Sequence, residues 1–176
     1  MNFKVIKSDI LFRGKVFDLQ VDKIKYNSEN DSVREVAIHP GGSVVVALKD
    51  DGKIIMVEQY RYPLQKVLLE LPAGKLEKNE DPKICAIREL EEETGYKAAE
   101  IFKLGTIATT PGFCTEMLHI YLTKNLSEGK PNREEGEYGM NIFEYRLEEI
   151  ENKISNGEIF DAKTICGIYM AKTFID

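Results

Sequence analysis

The chain has no tryptophan, and its 176 residues include only three cysteines and two histidines. Cys85, Cys114 and Cys166 are widely separated, odd in number and without a CxxC spacing. This usage argues against a disulfide framework and against a thiolate metal site, so we expect three small buried apolar residues. His39 and His119 have no ligand-like spacing, and we expect both to be structural.

The chain also has fewer positive than negative side chains. Its 24 Lys and Arg and 30 Asp and Glu give a formal net charge of −6. Binding long nucleic acid by phosphate neutralisation needs a basic face, so we expect no such partner. No run approaches the roughly 18 apolar residues of a membrane span, and the opening MNFKVIKSDI lacks the apolar segment of a signal peptide. We therefore expect a cytoplasmic protein with no membrane partner.

The hydrophobic pattern predicts a mixture of strands and helices. With 43 % hydrophobic residues, the chain is long enough to bury one main core. Alternation and turn residues predict strands at 3–11, 15–26, 32–39, 43–49, 53–60, 66–71, 101–108, 116–123 and 141–144. Helical patterns follow at 148–156 and 161–174, in addition to the helix described next.

The most specific pattern runs from Gly74 to Tyr96 and reads GKLEKNEDPKICAIRELEEETGY. Glu89, Glu92 and Glu93 stand at i, i+3 and i+4, offsets that place side chains on one face of a helix. Converging carboxylates repel unless a cation lies between them, and hard oxygen donors favour Mg²⁺ or Mn²⁺. Taken alone, three consecutive glutamates also fit a solvated acidic helix face.

The ends and faces of this helix can be predicted as well. Asp81 is a suitable N-cap, Pro82 suits the first turn, and Gly95 suits the C-terminal end. We expect a buried stripe of Ile84, Ile87 and Leu90, with the carboxylates on the opposite face. Arg88, four residues before Glu92, is expected to form a bidentate pair with that carboxylate.

These residues identify a resemblance to the Nudix box, in which a glycine, a glutamate and the Arg-Glu…Gly segment have fixed spacing. The resemblance implies an α/β (α+β) fold, an alpha/beta/alpha sandwich with a mixed sheet over residues 41–176. Residues 1–40 are additional and predict a small antiparallel N-terminal sheet, and the resemblance implies that this sheet is exchanged between the subunits of a homodimer. The resemblance also implies two or three Mg²⁺ ions, with Mn²⁺ possible, bound by Glu89, Glu92, Glu93 and the carbonyl of Ala73. A plain strand-end turn at Ala73-Gly74 is the alternative.

Three further segments resemble the ADP-ribose pyrophosphatase branch of that family. Pro111 lies sixteen positions after Gly95 within TPGFCTE, and EQYR at 58–61 is followed by ELPAG at 70–74. The resemblance implies that Arg61 contacts the diphosphate, a role that suits a planar guanidinium. The implied substrate-binding residues are Arg61, Glu70, Pro111 and Glu116. A Pro-Gly turn and a solvated arginine are the alternatives.

A polar segment at 127–139 contains EEGE at 134–137. Hydrolysis requires a group that accepts a proton from water, and carboxylates committed to metal are poor candidates. The family resemblance implies a Glu-x-Glu pair here, which supplies a catalytic base and a further metal ligand. Glu135 and Glu137 match that pair, with Glu137 as the ligand, while Glu134 offers a rival register and an acidic solvent loop is the alternative. Together with Glu92 and Arg88 they complete the expected catalytic set.

The resulting hypothesis is a homodimeric enzyme that uses Mg²⁺ to hydrolyse ADP-ribose to AMP and ribose 5-phosphate. The same chemistry on another nucleotide sugar or on a damaged nucleoside triphosphate is an open alternative, since substrate choice depends on residues outside the box. A non-catalytic nucleotide sensor is a third. Without tryptophan, the sequence does not indicate which aromatic residue stacks on a base.

Overall fold

The computed structural model of the chain describes residues 2–133 and 139–175. These residues form ten strands: β1 (Phe3–Arg13), β2 (Asp18–Tyr26), β3 (Asp31–Ile38), β4 (Gly42–Leu48), β5 (Lys53–Arg61), β6 (Lys66–Glu70), β7 (Ala73–Lys75), β8 (Lys97–Ala108), β9 (Met117–Ser127) and β10 (Asn141–Arg146). The helices are α1 (Pro82–Thr94), α2 (Leu147–Ser155) and α3 (Ala162–Ala171). The predicted strands and helices are present with ends shifted by a few residues, whereas the three-residue β7 was missed.

The chain divides into two compact units, and the first comprises the residues up to Gly41 together with 108–117. Strands β1, β2 and β3 form an antiparallel sheet in that order. The segment 108–117 joins this unit through Ala37, whose N–H donates to Phe113 at 2.7 Å and whose carbonyl accepts from Thr115 at 3.0 Å. The small N-terminal antiparallel sheet expected from the sequence is confirmed.

The second unit, residues 42–107 and 118–175, contains a mixed sheet in the order β10-β5-β4-β9-β8. Strand β4 runs parallel to β9 and antiparallel to β5. Strand β4 pairs with β5 through Ala47 and Leu48 only, and its first three residues pair with β7 instead. Strand β6 pairs with β5. One edge of β4 thus pairs with two strands, β5 and β7. The chain continues from β7 into the loop that leads to α1.

Helices cover both faces of this sheet, as the alternation of side chains along β4 requires. Val44 and Val46 lie in one core cluster, which includes Ile150 of α2 and Ile168 of α3. Val45 and Ala47 lie in a second cluster with Ala86 and Leu90 of α1 and with Tyr121. The predicted fold class, an alpha/beta/alpha sandwich with a mixed sheet, is confirmed.

Helix α1 begins and ends where the sequence predicts. The Asp81 side chain accepts from the N–H of Lys83 at 2.8 Å, Pro82 is the first helical residue, and Gly95 follows the last turn at φ 80°. Among the helices in the described part of the chain, none has the length and apolar character needed to cross a bilayer.

The expected faces of α1 were wrong. Ile84 is 56 % exposed, and the fully buried apolar positions are Cys85, Ala86 and Leu90. Glu89 and Glu93 are themselves buried, at 7 % and 2 % exposure, beside that stripe rather than opposite to it. The physical reason is that α1 packs against both the sheet and the β7 segment. One broad face therefore carries the apolar side chains that cover the sheet and the carboxylates that lie against β7.

Candidate functional site

Two acidic side chains of α1 converge on one cationic nitrogen. Arg88 Nη1 donates to Glu89 Oε1 at 2.7 Å and to Glu92 Oε2 at 2.8 Å. The helical offset of three residues between the two glutamates makes this possible, because it brings both side chains to the same side of the helix. The sequence prediction that Glu89 and Glu92 share a face is confirmed.

The bidentate pair of Arg88 is formed with Glu80, not with Glu92 as the sequence suggested. Arg88 Nε donates to Glu80 Oε1 at 2.9 Å and Nη2 donates to Glu80 Oε2 at 3.0 Å. Nη2 also reaches the carbonyl of Lys75 at 3.2 Å. The expectation failed because the loop at 75–80 folds back over α1, so that Glu80 presents both oxygens to the planar guanidinium.

This pair shifts the pKa of both partners. The hydrogen bonds to Glu80 raise the pKa of Arg88, and those from Arg88 lower the pKa of Glu80 below 4.5. Both groups therefore stay charged over a wide pH range. Glu80 was given no role from the sequence. Its fixed position in the motif, eight residues before Arg88, was the signal that could have indicated one.

The β7 segment contacts the carboxylates through its backbone. The N–H of Ala73 donates to Glu93 Oε2 at 3.2 Å. At Gly74, an added Cβ would lie 1.9 Å from the carboxyl carbon of Glu89, so only glycine permits this close approach. The predicted metal ligands Ala73, Glu89 and Glu93 are therefore brought together at the junction of β7 and α1.

The chemistry of these donors fits a hard divalent cation. Glu89, Glu92, Glu93 and the Ala73 carbonyl offer oxygen atoms, which suit Mg²⁺ or Mn²⁺. Burial raises the pKa of the nearby Cys85 thiol to about 12, so this soft ligand stays protonated. Within residues 2–133 and 139–175, no group of three or more His, Cys, Asp or Glu side chains has the arrangement of a metal site. The oxygen donors suit a hard cation by their chemistry, and the ligand set stays a prediction.

Arg61 and Glu70, both predicted to bind substrate, form a bidentate ion pair. Arg61 Nε donates to Glu70 Oε1 at 2.8 Å and Nη2 donates to Glu70 Oε2 at 2.5 Å. The Glu70 side chain is 1 % exposed, whereas that of Arg61 is 37 % exposed. Hydrogen bonding to Glu70 and the nearby charge of Glu93 raise the pKa of Arg61. Arg61 is thus a permanent cation, and its partner Glu70 ends the strand that leads towards Ala73.

Sequence reasoning missed a second cation on Glu70. Lys163, near the start of α3, donates from Nζ to Glu70 Oε2 and to Asp161 Oδ2, the latter at 2.9 Å. No local pattern indicated this contact, because 93 residues separate Glu70 from Lys163. The cluster of Arg61, Glu70, Asp161 and Lys163 is called the Glu70 network below.

Pro111 and Glu116, the other predicted substrate residues, belong to the first unit. Pro111 lies in a turn closed by the N–H of Phe113, which donates to the carbonyl of Thr110 at 3.1 Å. Glu116 accepts from Thr109 Oγ1 at 2.7 Å and lies 3.4 Å from His39 Nδ1. Both residues occupy ordered positions within their own unit.

Glu135 and Glu137, the predicted base and additional metal ligand, and the rival Glu134 lie outside the described residues. The residues that precede them are attached to the end of α1, and Arg133 also contacts a residue that follows them. Arg133 Nε donates to the carbonyl of Glu93 at 2.8 Å, and its Nη1 donates to the carbonyl of Met140 at 2.6 Å. The N–H of Asn132 donates to the carbonyl of Glu92 at 3.0 Å.

Comparison with known proteins adds the family context. The model of the NUDIX domain matches residues 38–166. The chain is 44 % identical over 167 residues to the methanol dehydrogenase activator of Bacillus methanolicus, which covers 94 % of this chain and 90 % of the relative. It is 43 % identical to the ADP-ribose pyrophosphatase of Bacillus subtilis, with the same coverage of both chains. A crystal structure of an ADP compounds hydrolase superposes with a TM-score of 0.86 over 99 % of this chain and 95 % of that one, at 14 % identity, which shows a shared fold.

Proposed function

Because the chain belongs to the Nudix family and is a Nudix pyrophosphohydrolase, we propose that it hydrolyses ADP-ribose to AMP and ribose 5-phosphate in a reaction that depends on Mg²⁺. The observation that carries the proposal is the pairing of Arg61 with Glu70, three residues before Ala73, whose N–H donates to Glu93 on the acidic face of α1. This arrangement suits a diphosphate that is bound through both a guanidinium and a divalent cation. The ADP-ribose pyrophosphatase of Bacillus subtilis, 43 % identical over 94 % of the chain, supports the choice of substrate.

Glu89, Glu92, Glu93 and the carbonyl of Ala73 would hold two or three Mg²⁺ ions. Bound Mg²⁺ supplies positive charge that offsets the charge of the diphosphate and of the transition state. The chain itself keeps the ligands in place. Arg88 joins Glu89 and Glu92 to the loop at Glu80, and the N–H of Ala73 orients Glu93.

Arg61 would bind the diphosphate by charge-assisted hydrogen bonds, which are the strongest kind available to a side chain. Its Nε and Nη2 are oriented by Glu70, and its Nη1 offers further N–H donors. A guanidinium held in one orientation loses little conformational freedom when it binds the substrate. In this proposal Glu70 acts through Arg61, and Pro111 and Glu116 remain predicted substrate residues of the first unit.

Glu135 or Glu137 would accept the proton of the attacking water, and Glu137 would add a metal ligand. Support comes from the neighbouring residues Asn132 and Arg133, whose hydrogen bonds to the carbonyls of Glu92 and Glu93 attach the chain at the acidic end of α1. A carboxylate that is not committed to metal is suited to this task.

The assembly and the location of the protein are further parts of the proposal. A homodimer and a cytoplasmic location, both expected from the sequence, remain predictions. The name of the Bacillus methanolicus relative describes an effect on a dehydrogenase. No feature of the described residues favours that role here over hydrolysis.

A substrate panel tests the proposal. The purified protein is incubated with Mg²⁺ and with ADP-ribose, ADP-glucose, NADH or 8-oxo-dGTP, and the products are separated by chromatography. We expect AMP and ribose 5-phosphate from ADP-ribose at a kcat/KM at least tenfold above that of the other substrates. Faster cleavage of another compound would move the assignment to that nucleotide. Tight binding without turnover would favour a sensor.

A further inference from the structure

Glu70 is a buried carboxylate that is shared between two cations. Its side chain is 1 % exposed, and it accepts hydrogen bonds from Arg61 and from Lys163, whose own side chain is 13 % exposed. A carboxylate so fully removed from water requires compensation by opposite charge and by hydrogen bonds. Both cations provide it, but only Arg61 is substantially open to solvent.

Asp161 balances the remaining charge of the Glu70 network. It is the N-cap of α3 and accepts from the N–H of Thr164 at 3.0 Å and from Thr164 Oγ1 at 2.6 Å. Burial disfavours its charged form, but the charge of Lys163 and the hydrogen bonds of Thr164 keep the pKa of Asp161 below 3.8. Two cations and two anions therefore make the network electrically neutral.

The second cation on Glu70 matters because a negatively charged substrate would use Arg61. A diphosphate that approaches Arg61 competes with Glu70 for the same guanidinium. While Lys163 also pairs with Glu70, Arg61 can be shared with the diphosphate without leaving a buried carboxylate uncompensated. Without Lys163 the buried Glu70 would depend on Arg61 alone for compensation and would bind it more strongly.

We infer that Lys163 is a positioning residue for substrate binding, which acts through Glu70 to keep the charge of Arg61 available to the diphosphate. This inference rests on the proposed function, because it assigns the diphosphate to Arg61. Lys163 itself does not contact the reacting atoms in this assignment. Its loss should therefore weaken substrate binding more than it slows the chemical step.

The test uses the full-length protein and the variant Lys163→Met. We expect KM for ADP-ribose to rise about tenfold while kcat stays within twofold. The matched control is Lys172→Met, which removes the same charge from a residue that pairs with Glu151 and lies outside the network. The control should leave both constants within twofold of wild type. An unchanged KM in Lys163→Met, or a loss confined to kcat, would overturn the inference.

A second comparison separates action through Glu70 from direct contact with phosphate and also applies if Lys163→Met does not fold. In the Glu70→Gln variant, the negative charge that Lys163 compensates is absent. Adding Lys163→Met to that variant should therefore change the affinity for a substrate analogue by less than twofold. A tenfold loss in that background would show that Lys163 binds the ligand itself and would contradict the inference.

The probe for this comparison is the Kd of α,β-methylene ADP-ribose, a non-hydrolysable analogue, measured by calorimetry in the presence of Mg²⁺. Because this readout is binding, it separates two kinds of failure. A wild type that binds the analogue but does not cleave ADP-ribose refutes the proposed function alone. A wild type that hydrolyses ADP-ribose, with a Kd insensitive to Lys163→Met, refutes the role of Lys163 alone.

Discussion

Arg88 contacts three carboxylates at once, on Glu80, Glu89 and Glu92. A guanidinium suits this position because its planar fork engages Glu80 with Nε and Nη2 while Nη1 reaches the two helix residues. The geometry explains how α1 tolerates acidic side chains on a largely buried face. Single side chains in this region should therefore have large effects on catalysis.

Glu93→Gln is expected to reduce kcat at least a hundredfold with little change in folding. The amide oxygen of glutamine can still accept from the N–H of Ala73, but the negative charge that the proposed metal site needs is lost. Steady-state kinetics and thermal unfolding measure the two effects. Glu91→Gln, on a side chain that is 42 % exposed, is the matched control and should keep full activity. Near-normal turnover in Glu93→Gln would remove this residue from the mechanism.

Gly74→Ala is expected to displace Glu89, because the new methyl group would lie 1.9 Å from its carboxyl carbon. Because the displaced atoms are the end of the flexible Glu89 side chain, we predict a loss of activity of about a hundredfold and a loss of stability below about 1 kcal/mol. Denaturant unfolding measures the stability. The control for stability is Gly139→Ala, where the added methyl meets nothing within 4 Å. Wild-type activity in Gly74→Ala would contradict the packing described here.

At the scale of elements, the chain around α1 is fixed from two sides. Arg88 holds the loop at Glu80, and Thr164 at the start of α3 accepts at Oγ1 from the N–H of Leu71 at 2.9 Å. Leu71 lies two residues before Ala73, so α3 fixes the chain just before β7. The stability of the site thus depends on contacts between elements that are far apart in sequence.

Thr164→Val is expected to cost about 1–3 kcal/mol, the usual penalty for leaving a buried hydrogen-bond donor without a partner. Thr123 supplies a matched control. Both threonines are fully buried, but Thr123 Oγ1 has no hydrogen-bond partner among the described residues. Thr123→Val should therefore be neutral or stabilising. Urea unfolding of both variants checks the difference, and equal losses would contradict it.

Glu80→Gln is expected to destabilise the protein by about 2 kcal/mol at pH 7, because hydrogen bonds to a charged partner are lost. The pKa of Glu80 is lowered from 4.5 in the folded state. Its contribution is therefore fully present above pH 4.5 and is lost as the pH falls through the lower folded-state pKa. The difference in unfolding free energy between wild type and variant should shrink below pH 4.5. A difference that stays constant down to pH 2 would refute this.

Local rules explain which features of these elements were predictable. Asp81, Pro82 and Gly95 determine the ends of α1 through their own backbone preferences, so the sequence predicted both ends correctly. The set of α1 side chains that face the core was not predictable in this way, because the burial of Glu89 and the exposure of Ile84 depend on how α1 packs against β7 and β4. For the same reason, the bidentate partner of Arg88 was predicted wrongly, since the loop at 75–80 sets the position of Glu80.

At the scale of the whole molecule, the chain forms two units and passes between them more than once. It leaves the first unit after Gly41 and returns to it at residues 108–117. The pairing of Ala37 with the 113–115 segment attaches residues 108–117 to the N-terminal sheet, and nothing in the local pattern of either segment indicates this. The contact of Lys163 with Glu70 is similarly long-range. Patterns within a segment predicted the strands, the helices and the acidic motif, whereas these long-range contacts required the structure.

The N-terminal unit exposes many large apolar side chains, including Leu11 at 66 %, Val16 at 59 % and Phe12 at 57 %. Apolar patches of this kind mark interaction surfaces. We predict a homodimer at micromolar concentration in sedimentation velocity, and Leu11→Asp should shift it towards monomer. Phe102→Asp, on an exposed side chain of β8, should leave the dimer intact. A monomeric wild type would exclude the dimer.

We propose that the acidic face of α1 makes this protein a metal-dependent pyrophosphohydrolase for ADP-ribose. The most direct test follows AMP and ribose 5-phosphate by chromatography after adding ADP-ribose to the purified protein, with Mg²⁺ in one sample and EDTA in the other. The two products should form in equal amounts with Mg²⁺ and not with EDTA. Absence of AMP with Mg²⁺, or an equal rate in EDTA, would contradict the claim.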